Sequence, residues 1–598
     1  MAKLLPRLTV FIAIVLLVGA CIADNSKKET TTQANWKRTQ NEVITRLAGE
    51  PKSMNPSNAF DVNSLTCMRQ TLQYLLFLDP DTYELTPQLA KARPSTAQLT
   101  EGPYAGGMAY TFELFDEAVW DNGTPVNASD FVFSLKAVLN PKLPTQRLSG
   151  YLKIMKDVQV DPDNPKKFTV FTEEAQVMAE EFISGAMPVI PEYIYDPEGL
   201  LSGFDLKDFL DDDRAVKIAD DPKLQAHAEQ FSSELHSRNP EGVIGSGAYK
   251  LVSWDSEGDL EFVKKENWWG DKVPGDLPML QAYPDKLIFR PVLDMAAAAT
   301  LLRDEAIDVC LMLDSKDFIA MRDDPKMTED YEFHVVQGML SYILYLNTKD
   351  PLLSDKRVRR ALAHLVDVDV LIDKIFLGLA DPVVGPIHPS RDYYDKALQP
   401  IGLDLEKATA LLKEAGWEDS NGDGTVDKEV NGQRREFKLN MILNTTPASQ
   451  QIGALVKENG AKVGIDVILD PKERSAWISS LSARDFQAST GGFASQPTAV
   501  DDLYQVWHTS SDTPEGFNRM GFGNAETDKL IEDIRVTFDK TKRDELYKRF
   551  QEIVYDEQPV VFLIAPQNRI VIHKRFDAKP TALSPGVYPS MFKLKELE

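Results

Sequence analysis

Between residues 404 and 443 the hydrophobic spacing changes from one period to another across a single loop. In DLEKATALLKEAG (404–416), Ala408, Leu411, Leu412 and Ala415 fall at i, i+3, i+4 and i+7, the stripe of an amphipathic helix. Asp404 stands at the N-cap position and Gly416 where a helix stops. In REFKLNMIL (435–443), Phe437, Leu439, Met441 and Leu443 alternate, as in a half-buried strand. A helix and a strand in succession, each with one face to bury, require a sheet with helices packed on it. The same spacing recurs. DKRVRRALAHLVDVDVLIDKIFLG (355–378) carries Val358, Ala361, Leu362 and Leu365 as a helical stripe, with Asp355 as N-cap and Gly378 as stop. NASDFVFSLKAVLNP (127–141) opens on a near capping box, Asn127 with Asp130, and is bounded by Pro141. The expected class is α/β.

At 598 residues the chain is long enough for several domains. Its 66 basic and 92 acidic residues give a net charge of −26, which repels nucleic acid and anionic membrane surfaces. The acidic piece DLKDFLDDDRAVKIADD (205–221) reads as a solvated helix or loop. Lys3 and Arg7 precede an apolar run, LTVFIAIVLLVGA (8–20), which is shorter than the ~20 residues of a spanning helix and fits a secretory h-region. Val18-Gly19-Ala20-Cys21 resembles a bacterial lipobox, which implies cleavage after residue 20 and lipid on Cys21. The polar stretch to residue 40 reads as a flexible tether. Beyond it only Cys67 and Cys310 remain, expected as buried free thiols.

One loop carries a metal-like pattern. DSNGDGTVDKEV (419–430) matches D-x-[DN]-x-[DN]-G, with Asp419, Asn421, Asp423 and Asp427 in ligand slots of an EF-hand and Gly424 at the sharp turn. The bidentate glutamate of the last slot is missing, since Val430 stands there, and a strand follows where an EF-hand has a helix. Asn421-Gly422 and Asp423-Gly424 are turn formers in their own right. Two readings stay open: a surface turn, and a structural calcium held by those four residues. The seven histidines form no H-E-x-x-H, and no C-x-x-C, G-x-S-x-G or phosphate-cradling G-x-x-x-x-G-K-[ST] loop occurs. No cofactor is expected, and the chain is read as a non-enzyme.

Five stretches in register resemble the family 5 solute-binding proteins of ABC importers, the oligopeptide/dipeptide and nickel-binding type. They are GEPKSMNPSNAFD (49–61), WDNGTPVNASDFVFSLKAVLNP (120–141), IGSGAYKLVSWDSEGDLEFVKKENWWG (244–270), YLNTKDPLLSDKRVRRALAHLVD (345–367) and DLEKATALLKEAGWEDSNGDG (404–424). The resemblance implies a periplasmic-binding-protein fold, with two α/β lobes, a hinge and an extra subdomain. Domain I would comprise 41–75, 236–310 and 559–598, domain II 76–235 and domain III 311–558. The chain would cross to domain III near Val309–Asp314 and return near Pro559. Gly245 and Gly247 are read as allowing a tight turn, and Trp120, Trp268 and Trp269 as core.

The same resemblance implies capture of a ligand between lobes that close on it, delivery to a membrane permease, and a lipid-anchored monomer of the cell envelope on the periplasmic or extracellular face. Segments 53–60, 386–393, 444–450 and 493–508 are expected to line the cleft. The candidate ligand residues are Ser53, Asn55, Phe60, Pro386, Ile387, Tyr393, Asn444, Thr446, Gln450, Phe493, Ser495, Gln496, Asp501 and Asp502. Pro386, Ile387 and Tyr393 would make an apolar wall. Peptide-binding relatives place an aspartate for the ligand's ammonium near Ser495–Gln496, which are neutral here, and Asp501 or Asp502 could replace it. The stretch that would hold a carboxylate, LNTTPASQQ (443–451), has no basic residue. An oligopeptide read through its backbone fits this best. An uncharged oligosaccharide, a metal chelate, an enzyme reusing the fold through Asp501 or Asp502, and a signalling or adhesive lipoprotein are the alternatives.

Overall fold

The computed structural model describes residues 36–144, 146–256, 258–430, 432–495, 500–514 and 516–596. The apolar run, Cys21, the tether up to residue 35, and Gln496 lie outside the described residues. Residues 40–594 form one compact unit. No helix among the described residues is long and apolar enough to cross a membrane.

Two large sheets organise this unit. The first has seven strands in the order Tyr331–Val336, Asn568–His573, Val309–Leu311, Glu42–Leu47, Lys286–Pro291, Leu260–Lys264, Tyr249–Trp254. Its centre, Glu42–Leu47, runs parallel to both neighbours, as strands covered on both faces often do. Side-chain alternation divides its residues between two cores. Val43, Leu47, Leu287 and Phe289 enter one, while Ile44, Ile288 and Cys310 enter the other. The second sheet has six strands in the order Ala380–Pro382, Val560–Pro566, Leu340–Leu346, Ala488–Ala494, Lys438–Asn444, Asp466–Lys472. There Leu344, Leu346, Leu439, Met441 and Leu443 face one core, and Ile343, Tyr345 and Ile442 the opposite one. A smaller four-stranded antiparallel sheet within 95–172 shares the first core through Phe112, Phe168 and Val170.

Sheet membership divides the chain differently from the expected bounds. Val309–Leu311 and Tyr331–Val336 both pair with Asn568–His573, so the chain stays in the first sheet past residue 314. Val560–Pro566 belongs to the second sheet, so the return comes after Pro559. The crossings are residues 337–339 and Gln567. Gln337 Nε2 and Gln567 Nε2 both donate to Asp381 Oδ2, at 3.4 and 3.2 Å, which ties the two crossings to one carboxylate. A Cβ on Gly338 would lie 2.1 Å from Pro566 O. Gly338→Ala must therefore spread the crossings, and is expected to cost on the order of 1–3 kcal/mol in urea unfolding.

The caps form where the residue types place them. Asp404 accepts from Lys407 N ahead of the helix Leu405–Glu414, and Gly416 takes φ +87° after it. Asn127 and Asp130 form a capping box for Ala128–Val138. The stretch 355–378 is not one helix. Lys356–Ala363 ends at His364, whose Nδ1 pairs with Gly402 O, and Asp367 caps a new turn by accepting from Val370 N. Cys67 and Cys310 are buried free thiols, and burial pushes Cys310 up to about 11. Gly245 and Gly247 serve close approach rather than a left-handed turn. Added Cβ atoms would lie 2.3 Å from Thr71 O and 2.7 Å from Gln70 O, so the glycines let this segment abut the end of the helix Val62–Thr71. Trp268 and Trp269 are buried beside it, both indoles donating to Ser246 O at 2.8 Å.

Candidate functional site

Residues attached to both large sheets converge on two adjoining cavities of about 420 Å³ each. The first is walled by Phe60, Met68, Arg69 and Phe77, by Tyr151, Glu181 and Phe182, and by Ala494, Ser495, Asp501 and Asp502. The second is walled by Tyr345, Pro386, His388, Trp477, Phe493 and Trp507. Tyr151, Ala494, Ser495, Asp501 and Asp502 border both. Apolar and aromatic walls with a few convergent polar groups are the make-up of a ligand site. The segments on its two sides also touch directly, through Val177 N donating to Arg535 O at 2.8 Å.

The carboxylates at the junction differ in what holds them. Asp501 accepts from Arg391 Nε at 3.0 Å and Nη2 at 2.7 Å, and from Tyr393 Oη at 2.7 Å. Both ion-pair partners are nearly inaccessible. Burial alone would lower the Arg391 guanidinium, but the Asp501 carboxylate beside it leaves it raised. Tyr393 stacks on Tyr547, ring centroids 4.2 Å apart. Asp502 lies 3.4 Å from Arg535 Nε, while its Oδ2 is buried without a hydrogen-bond partner, and burial raises its carboxyl. Glu181, in the helix Ala179–Gly185, is pushed up to about 7, first by burial, with Arg391 opposing and Glu180 adding to the shift.

That shift has a sign for stability. A carboxyl raised above its unfolded value, ~4.3, leaves the folded state binding more protons between the two values. Its stabilising contribution is present below about pH 4.3 and is lost as pH rises through about 7. Glu181→Gln is expected to flatten this part of the pH dependence, read as urea midpoints at pH 5 and pH 8. An unchanged slope would contradict the assignment.

The sequence candidates separate into two groups. Phe60, Pro386, Phe493, Ser495, Asp501 and Asp502 line the cavities. Ser53, Asn55, Ile387, Tyr393, Asn444, Thr446 and Gln450 do not border them. Ser53 Oγ accepts from Asn55 N, and Asn55 side-chain atoms bond Phe231 O and Ser57, so these polar groups are spent on internal bonds. Ile387 is core and fully buried. Tyr393 serves Asp501 rather than an apolar wall. Asn444 Oδ1 accepts from Thr446, Thr446 caps the helix Pro447–Lys462, and Gln450 Nε2 donates to Asn444 O, so all three close a helix N-terminus. Arg69 and Glu181 on the cavity wall, and Arg391 holding Asp501, are charged groups that the sequence candidates leave out. Arg391 sits inside the expected 386–393 window, whereas no local pattern marks the other two.

In the 419–430 loop, Asp419 accepts from Gly422 N at 2.7 Å and Gly424 N at 2.9 Å. Asp427 is engaged otherwise. Its oxygens take Ser420 and Arg434, and it opens the hairpin strand Asp427–Val430. No group of three or more His, Cys, Asp or Glu side chains that could hold a metal ion occurs among the described residues.

The model of the bacterial extracellular solute-binding proteins, family 5 Middle, matches residues 84–515. The oligopeptide-binding protein AppA of Bacillus subtilis (strain 168) is 23% identical over 581 residues, covering 96% of this chain and 95% of that protein. Heme-binding protein A of Haemophilus influenzae is 23% identical over 583 residues, covering 93% of each. The structure of Bacillus subtilis AppA in complex with a nonapeptide superposes with a TM-score of 0.72 at 20% identity, over 94% of this chain and 100% of that one. The fold is therefore the periplasmic-binding-protein type.

Proposed function

Because the chain belongs to the family 5 bacterial extracellular solute-binding proteins, we propose that it captures peptides in this cleft for an ABC importer. The observation that carries the reading is the joint wall. One ligand would touch Phe60 and Phe182 on one side and Phe493 and Trp507 on the other, so binding favours the closed arrangement. The crossings at 337–339 and Gln567 are the hinge, and the membrane permease is the partner that receives the ligand. The relative with a bound nonapeptide supports an oligopeptide. Capture and release make and break no bond, and the commitment of Asp501 to Arg391 and Tyr393 favours binding over carboxylate catalysis. Lipid on Cys21 would hold a monomer beside the permease on the periplasmic or extracellular face, and Cys21→Ala should release it from membranes.

Native mass spectrometry of the purified protein tests the ligand class. Retained masses spread over oligopeptides are expected. A single oligosaccharide or metal-chelate mass would overturn the peptide reading. For the 419–430 loop we read a turn rather than a calcium site, and adding calcium is expected to leave the melting temperature unchanged. A rise of several degrees would restore the calcium reading.

A further inference from the structure

The acids on the wall of the first cavity are Glu181, Asp501 and Asp502, and they differ in their cations. Asp501 is bonded to Arg391 through Nε and Nη2. Asp502 lies 3.4 Å from Arg535 Nε. The Glu181 carboxyl has no hydrogen-bond or ion-pair partner among the described residues. Its neighbour Glu180 takes the nearest arginine, accepting from Arg93 Nε at 2.6 Å and Nη2 at 2.8 Å. The elements packed on its helix, Ala179–Gly185, supply no cation either. Leu76–Leu78 is apolar, and Tyr151 of the helix Gln146–Leu152 sets its ring 4.9 Å from that of Phe182. Arg69, the cation on the same cavity wall, lies over the Phe77 ring. Across the cavity Glu181 feels Arg391 and Asp501, which are already joined to each other. Glu181 stands on one side of the cleft and Asp501 on the other, and just upstream of Glu181 the two sides join through Val177 N and Arg535 O. The joined sides thus set an unpaired carboxyl opposite a second carboxylate, an arrangement that disfavours its ionised form.

We propose that closure of the cleft on its ligand takes up one proton, at Glu181. The inference rests on the capture reading above. With the sides apart, Glu181 meets water and ionises as an ordinary glutamate; with them joined, it is held as the neutral acid. The proton comes from solvent and returns to it on opening. The neutral acid also gives the cavity wall an O–H donor, which suits a peptide carbonyl. Burial first, with Glu180 and Asp501 adding and Arg391 and Arg93 opposing, pushes this carboxyl up to about 7, against ~4.3 in water. A group raised on closing favours the closed form fully below ~4.3, and that advantage is lost as pH rises through about 7. Peptide affinity therefore increases on acidification.

The test is retention of a random tetrapeptide pool lacking Asp, Glu and His, read by mass spectrometry at pH 5 and pH 7. The charges of such peptides change little in this range, since their ends titrate near ~3.5 and ~8. The full chain should hold the pool on the order of tenfold more tightly at pH 5. Glu181→Gln puts a neutral amide in place of the neutral acid. It should bind at pH 7 as tightly as the unaltered chain does at pH 5, with little change between the two. His388, on the second cavity, is lowered by burial and then by Arg391, so its own titration would weaken binding in acid and cannot imitate the effect. Equal retention at both pH values, or a pH dependence that survives in Glu181→Gln, would overturn proton uptake while leaving peptide binding intact. Tighter retention at pH 7 than at pH 5, lost in Glu181→Gln, would give Glu181 to a cation of the ligand and overturn it as well. Retention of no peptide at either pH would overturn the peptide reading and this inference with it.

Discussion

Arg391→Ala is expected to lower the unfolding free energy by about 3–5 kcal/mol and to abolish ligand capture. The loss comes less from the attraction removed than from the charge left behind. Asp501 would remain in its buried position, with Tyr393 as its remaining side-chain donor. A double replacement discriminates this cause. Arg391→Met with Asp501→Leu removes both charges and keeps the volume, so it is expected to unfold at higher urea than Arg391→Ala alone. The double variant should still fail to bind, because the polarity of the junction between the cavities is gone. If Arg391→Ala shifts the urea midpoint no more than an exposed-charge control does, the pair does not organise the site.

Arg575→Ala should cost a comparable ~3–5 kcal/mol, at a place far from the cleft in function. Arg575 and Asp308 are both fully buried and joined at 2.8 and 3.0 Å. The guanidinium also donates to Gln40 O and Glu42 O, while Asp308 Oδ2 accepts from Ile44 N at 2.8 Å. The pair thus fixes the first strand, Glu42–Leu47, against the last part of the chain. The same peptides should bind Arg575→Ala with unchanged affinity at low temperature, where it is still folded. Wild-type stability of the variant would show that the pair is not a fastening of the first sheet.

What could be read beforehand follows the range of each interaction. Caps at Asp355, Asp404 and Asn127 act within four residues, so composition and spacing revealed them. The alternation of Leu439, Met441 and Leu443 reports a face of one strand, and they indeed share a core. The break after His364 was hidden because the apolar spacing continues through it, while the caps that end and restart the turn involve Gly402 and Asp367. The site was legible only as windows. Phe60, Phe493 and Ser495 lie on segments the family resemblance marks, but Arg391 meets Asp501 across 110 positions and Arg575 meets Asp308 across 267. No local period encodes such partners. Asn444, Thr446 and Gln450 misled for the opposite reason. They are polar and sit in the marked window, but a helix N-terminus consumes their hydrogen bonds.

Hydrogen–deuterium exchange with and without a saturating oligopeptide pool tests most directly whether one ligand bridges the two sheets. Simultaneous protection is expected in 56–78 and 178–188 on one side and in 488–495 and 503–507 on the other, with altered exchange at the crossings 337–339 and 567. Protection confined to one side, with the crossings unchanged, would contradict capture by closure of the cleft.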